Sequence, residues 1–140
     1  MPSHVLVPVD GSPQSLQALR FVSTEWVDVR VTLLHVINPV QRGYRAGVLP
    51  SGSEDWYQDA RADAEEILEE AQVELDVDGE TATRTEVGRP AATIVEVAGG
   101  DEFDHVVVGS HGRRGVSRLV LGSVAEHVAR RSPVPVTIVR

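Results

Sequence analysis

The chain has 140 residues, enough for one hydrophobic core and short of two. Hydrophobic residues make up 41% and charged residues 24%, the balance of a water-soluble globular domain, and the formal net charge of −8 disfavours nucleic acid or an anionic membrane as a partner. Cysteine is absent, which excludes disulfides and thiolate metal sites, and no stretch approaches the roughly 20 apolar residues of a membrane span.

Residues 1–10 lack the basic opening of a signal peptide, so a cytoplasmic location is expected. All 13 basic residues are arginine, and lysine does not occur. An acidic, lysine-free surface suits a high-salt cytoplasm, and a GC-rich genome that favours arginine codons explains it equally well.

In chain order, His4 to Val9 is a short apolar run ended by Asp10-Gly11, the pattern of a buried strand. Ser12-Pro13 then reads as a helix start, a hydroxyl cap followed by proline at the first helical position. Leu16, Leu19, Val22 and Trp26 supply its apolar stripe. Val31 to Ile37 is a second strand, closed by Asn38-Pro39. Residues 38–54 form the longest irregular stretch, rich in Gly, Pro and Arg, where a functional or disordered loop is expected. A long helix follows, with Trp56, Ala60, Ala64, Ile67, Leu68, Ala71 and Leu75 on one face and Asp59, Asp63, Glu66, Glu69 and Glu70 on a solvated acidic side. Thr81 to Val87 is polar enough for an edge strand. Ala91 to Ala98 is a third helix, Phe103 to Val108 a buried strand, Ser123 to Arg131 a fourth helix and Val134 to Val139 a last strand.

Alternating strands and helices with near-continuous apolar strands predict an α/β fold: a single doubly wound, five-stranded parallel sheet with helices on both faces, over residues 1–140. Ligands of such sheets sit beyond the carboxyl ends of the strands at the topological switch point. Asp10 and Gly109 both fall at strand ends, and they share one crevice if the first and fourth strands flank that switch.

The chemistry concentrates in residues 109–123, Gly-Ser-His-Gly-Arg-Arg-Gly-Val-Ser-Arg-Leu-Val-Leu-Gly-Ser. Glycines let a backbone approach a phosphate with its N–H groups turned inward, and the helix opening at Gly122-Ser123 adds free amides and a partial positive charge. Arg113, Arg114 and Arg118 add cations. A second reading needs no ligand: Ser123-Val124-Ala125-Glu126 is also a capping box, and the glycines then only shape a surface loop. Asp10 is open in the same way, since Asp-Gly-Ser is a common turn.

Gly109-x2-Gly112-x9-Gly122-Ser123 resembles the ATP-binding signature of universal stress proteins. The resemblance extends to Val7-Pro8-Val9-Asp10-Gly11-Ser12, Leu34-His35-Val36, Val106-Val107-Val108-Gly109-Ser110-His111-Gly112 and Ser132-Pro133-Val134-Pro135-Val136, and so spans nearly the whole chain. It implies a Rossmann-like, adenine-nucleotide-binding fold and a regulatory or stress-response module that takes ATP, with or without Mg2+. Asp10, reached through Pro8 and Val9, would contact the ribose or adenosine end, and the Val36 backbone would read adenine. Gly109, Gly112, Gly122, Ser123 and Val124 would surround ribose and phosphates, and His111 and Arg113 complete the expected set. The family commonly pairs through the last strand, which implies a homodimer built on Pro135 to Arg140.

Two rivals stay open. A slow ATPase or other phosphoryl-transfer enzyme would use His111 as a base or Asp10 as a magnesium ligand, although the chain has no Walker-type Gly-Lys and no lysine to neutralise a leaving phosphate. A dimeric scaffold would need no nucleotide. The five histidines are scattered, without metal-ligand spacing, and no catalytic residue is assigned.

Overall fold

The computed structural model describes residues 2–42, 53–110 and 121–140. Chain order gives β1 (His4–Pro8), α1 (Pro13–Glu25), β2 (Arg30–Ile37), a 3₁₀ turn (Pro39–Arg42), α2 (Ser53–Glu74), β3 (Thr81–Val87), α3 (Pro90–Ala98), β4 (His105–Gly109), α4 (Ser123–Arg131) and β5 (Val136–Val139). The five strands form one sheet in the order β3-β2-β1-β4-β5, with every pairing parallel. The expected doubly wound fold is therefore the observed one. The switch lies between β1 and β4, and the polar β3 is an edge strand.

Side chains alternate across the strands and so divide the core into two layers. Val5, Val7, Val31, Leu33 and Val107 pack on one face with Ala18, Leu19 and Val22 of α1 and Leu68 and Ala71 of α2. On the other face Leu6, Leu34 and Val106 meet Ile94, Val97 and Ala98 of α3 and Val128 of α4. Each fully buried valine or leucine contributes about 1.5–3 kcal/mol, so aliphatic residues suffice where aromatics are scarce. The first half of α2 runs past this layer, and its Trp56, Ala60 and Ala64 gather on Ile37.

Local chemistry sets the element ends. Ser12 caps α1, its hydroxyl accepting from the Ser15 N–H at 3.2 Å, with Pro13 at the first helical position. Trp26, expected on the α1 stripe, is instead the residue that closes the helix. Its ring meets Phe21 edge-on at 5.4 Å and His105 at 5.1 Å. β1 stops one residue before the apolar run does, and β5 starts two residues later than expected, after Pro135.

At the amino-terminal end of the sheet, Asp104 accepts the Ser3 N–H at 2.8 Å and the Ser3 hydroxyl at 2.6 Å. Burial raises its pKa, but these bonds, the His4 N–H and the neighbouring His105 outweigh burial and leave the carboxyl below its ordinary value. His105 is also lowered, because burial disfavours its charged ring by more than Asp104 favours it. At both groups the unfolded chain takes up a proton at a higher pH than the folded one, so stability falls with acidification. The loss through His105 begins below the ordinary histidine value of 6.5, and that through Asp104 begins below 3.8. We expect the urea midpoint to drop between pH 7.5 and pH 5 and to drop less in His105→Gln. Asp104→Asn should enlarge the change over that interval, because it removes the carboxylate that favours the charged His105 ring.

Candidate functional site

The site is built where β1 leaves the sheet. The Val9 N–H still donates to the Leu34 carbonyl at 2.8 Å, continuing the β1–β2 ladder one residue past the strand. Asp10 then accepts the Ser12 N–H on Oδ1 at 2.9 Å, and Gly11 takes φ 81°, a conformation glycine adopts without strain. The turn reading of Asp10 is thus realised, and the turn swings the chain out of the sheet plane into α1.

That departure exposes β2. Successive residues of a strand direct their backbone groups to alternate neighbours. The Val31 N–H goes to Glu80 and the Ile37 carbonyl accepts from Gly88, so odd residues face β3. Arg30 and Leu34 pair toward β1, as Val36 must. Opposite Val36, however, β1 has ended. Its N–H and carbonyl have no partner among the described residues, and Val36 lines the cleft that opens there.

The far wall comes from β4 and α4. The Ser110 N–H donates to Val139 at 2.8 Å and its carbonyl accepts the Gly122 N–H at 2.7 Å, which draws the start of α4 to the tip of β4. Gly122, at φ −63° and ψ 152°, is the N-cap, and Ser123 is the first helical residue. The capping box of the reading that needs no ligand is therefore not formed. The Glu126 N–H bonds to the Gly122 carbonyl at 2.9 Å, and the Glu126 carboxylate pairs with Arg130 at 3.1 Å. A glycine cap has no side chain to offer, so among the described residues the amides of Ser123, Val124 and Ala125 are left without acceptors. The partial positive end of α4 faces the cleft through them.

The cleft measures about 840 Å³, within the roughly 300–1,000 Å³ of small-molecule sites. It gathers Pro8, Val9, Asp10, Val36, Gly109, Gly122, Ser123 and Val124, every predicted site residue that is described. His111, Gly112 and Arg113 lie outside the described residues, as does most of loop 38–54. Gly109 has a packing duty of its own. A β-carbon there would stand 2.7 Å from the Gln14 carbonyl oxygen and 2.8 Å from its carbon, because the first turn of α1 rests on it.

Sequence reasoning missed several lining residues. His35 lines the cleft and its Nδ1 donates to the Val9 carbonyl at 2.8 Å; the signal was a polar ring inside an apolar strand. Asp63, Glu66 and Glu70, read only as a solvated helix side, also border the cleft and make its α2 wall acidic. No group of three or more metal-capable side chains comes together among the described residues.

The family model of the universal stress protein family matches residues 1–140. The chain belongs to that family. Universal stress protein Mb2028c of Mycobacterium bovis is 29% identical over 96% of this chain and 47% of its own length, so the chain spans about half of that relative. The solved structure of hypothetical protein MJ0577 has a TM-score of 0.79 at 28% identity, covering 98% of this chain and 94% of the other. A universal stress protein solved in complex with cAMP has a TM-score of 0.64 at 27% identity, covering 99% and 97%. Nucleotide binding thus occurs among this chain's structural neighbours in the family.

The Gly109 geometry generates a stability test. Gly109→Ala should cost roughly 1–3 kcal/mol in urea unfolding, as overpacking does, because the atoms it meets are helix backbone and cannot rotate away. An unchanged midpoint would show that α1 can lift off β4 at little cost.

Proposed function

We propose that this universal stress protein is a regulatory module that binds an adenine nucleotide, ATP first, and holds it without rapid turnover. One observation carries the reading: the backbone edge at Val36 and the amides of Ser123, Val124 and Ala125, without partners among the described residues, face a single cleft. The first offers a donor and an acceptor side by side, which suits the edge of a purine base. The second suits phosphate oxygens, for which helix amino ends are ready-made sites. Asp10, beside Val9 between the two, is positioned for ribose hydroxyls. The complex of a 27% identical neighbour with cAMP supports an adenine ligand. Gly112, His111 and Arg113 belong to the proposed phosphate end by their place in the signature, and Mg2+ accompanies ATP where the phosphates require it. The sequence has no lysine to neutralise a leaving phosphate, which favours holding over phosphoryl transfer.

The proposal includes a homodimer. Among the described residues β5 pairs only with β4, and it is half-buried along its length, which supports pairing of its second edge with another copy. Light scattering at tens of micromolar should give twice the 15.2 kDa chain mass; a mass of one chain would remove this part of the proposal.

Calorimetry tests the nucleotide. Replacing Gly112 and Gly122 together by valine should weaken ATP by about tenfold or more, the scale of one or two lost hydrogen bonds, and should spare adenosine. Asp10→Asn preserves the turn acceptor and should weaken ATP and adenosine alike. Unchanged ATP affinity in the double variant would put the phosphates elsewhere. Hydrolysis faster than about 1 per second would replace the holding role with an enzymatic one.

A further inference from the structure

We infer that His35 is a positioning residue that keeps the Val36 backbone open for the base, a role that rests on the adenine-nucleotide reading of the cleft. In a parallel ladder each carbonyl is taken by the next amide in register. After the Val9 N–H on the Leu34 carbonyl, the next rung is the Val36 N–H on the Val9 carbonyl. That rung is not made. The Val9 oxygen accepts instead from the His35 ring at 2.8 Å.

A carbonyl can only accept, so Nδ1 carries the proton in this contact. The imidazole therefore stands in for a main-chain donor. It allows β1 to leave the sheet without stranding the carbonyl of the buried Val9, which would otherwise favour closing the ladder. With His35 gone, the Val36 N–H is the donor that the parallel register sets next on the Val9 carbonyl. The ladder would gain a rung, and the donor that faces the base would be consumed.

The chemistry read there is specific. An N–H beside a carbonyl on one strand edge matches adenine, which presents N1 as acceptor and its 6-amino group as donor. Hypoxanthine presents the reverse, an N1–H and an O6, so each pairing would set donor against donor or acceptor against acceptor. A site whose polar groups are left unpaired rejects such an analogue strongly. His35 thereby sets base selectivity without touching the base.

Two measurements on the full chain test this. Amide exchange followed by NMR needs no ligand: Val36 in the wild type should exchange freely and become protected when adenosine is added. In His35→Leu, Val36 should be protected without ligand. Calorimetry with adenosine and inosine should show the wild type preferring adenosine by about tenfold or more, His35→Leu losing most of that preference, and His35→Asn, whose amide can donate from nearly the same point as Nδ1, restoring it. A Val36 amide as protected as Leu34 in the ligand-free wild type overturns the proposal whatever the variants do. An undiminished adenosine preference in His35→Leu overturns it too, and leaves the nucleotide reading standing. If the wild type binds neither nucleoside, both fall together.

Discussion

Between β1 and β2 the parallel ladder stops one rung short, with the Val9 N–H on Leu34 and the Val9 carbonyl on the His35 ring. The cleft depends on that interruption. A sheet that closed the next rung would carry β1 alongside Val36 and fill the space where the cavity opens. Because β1 turns away at Asp10-Gly11, α1 starts early enough for its first turn to lie on Gly109. The same departure leaves the tips of β2 and β4 separated by the switch point, which doubly wound sheets use for ligands.

The two glycines described at the far wall do different work. Gly109 is a packing residue, since helix backbone occupies the place of its β-carbon. Gly122 has an extended conformation open to other residues, and its contribution is to cap α4 without a side chain that would satisfy the helix amides. A serine at that position would satisfy one of those amides itself, adding roughly 1 kcal/mol of helix stability and removing a donor from the cleft. A signature that reads as uniform glycine flexibility therefore combines a steric requirement with a deliberate gap in hydrogen bonding.

Electrostatics constrain how a nucleotide could be held. Asp10, Asp63, Glu66 and Glu70 border the cleft in a chain of net charge −8, so its long-range field does not draw an anion in. Attraction has to be short-ranged, from the amides at the start of α4. Carboxylates on an exposed helix face are screened within about 10 Å at ordinary salt, whereas hydrogen bonds inside the cleft are not.

Much of this was legible in the residues. Apolar runs closed by Asp-Gly, Asn-Pro and Gly gave the strands within one or two positions, Ser12-Pro13 gave the start of α1, and the spacing of Gly109, Gly112, Gly122 and Ser123 identified the family. Pattern of this kind encodes which face of an element is buried, because periodicity follows from backbone geometry alone. It does not encode which element lies beside it. Only the tertiary structure decided that Gly122 would take the cap of α4, because the Gly122 N–H is held by Ser110, just beyond β4. It also decided that Asp63, Glu66 and Glu70 would border the cleft, and that His35 would reach a carbonyl 26 residues away. These are contacts between segments distant in sequence, set by how the two layers pack on the sheet, and no local pattern carries them.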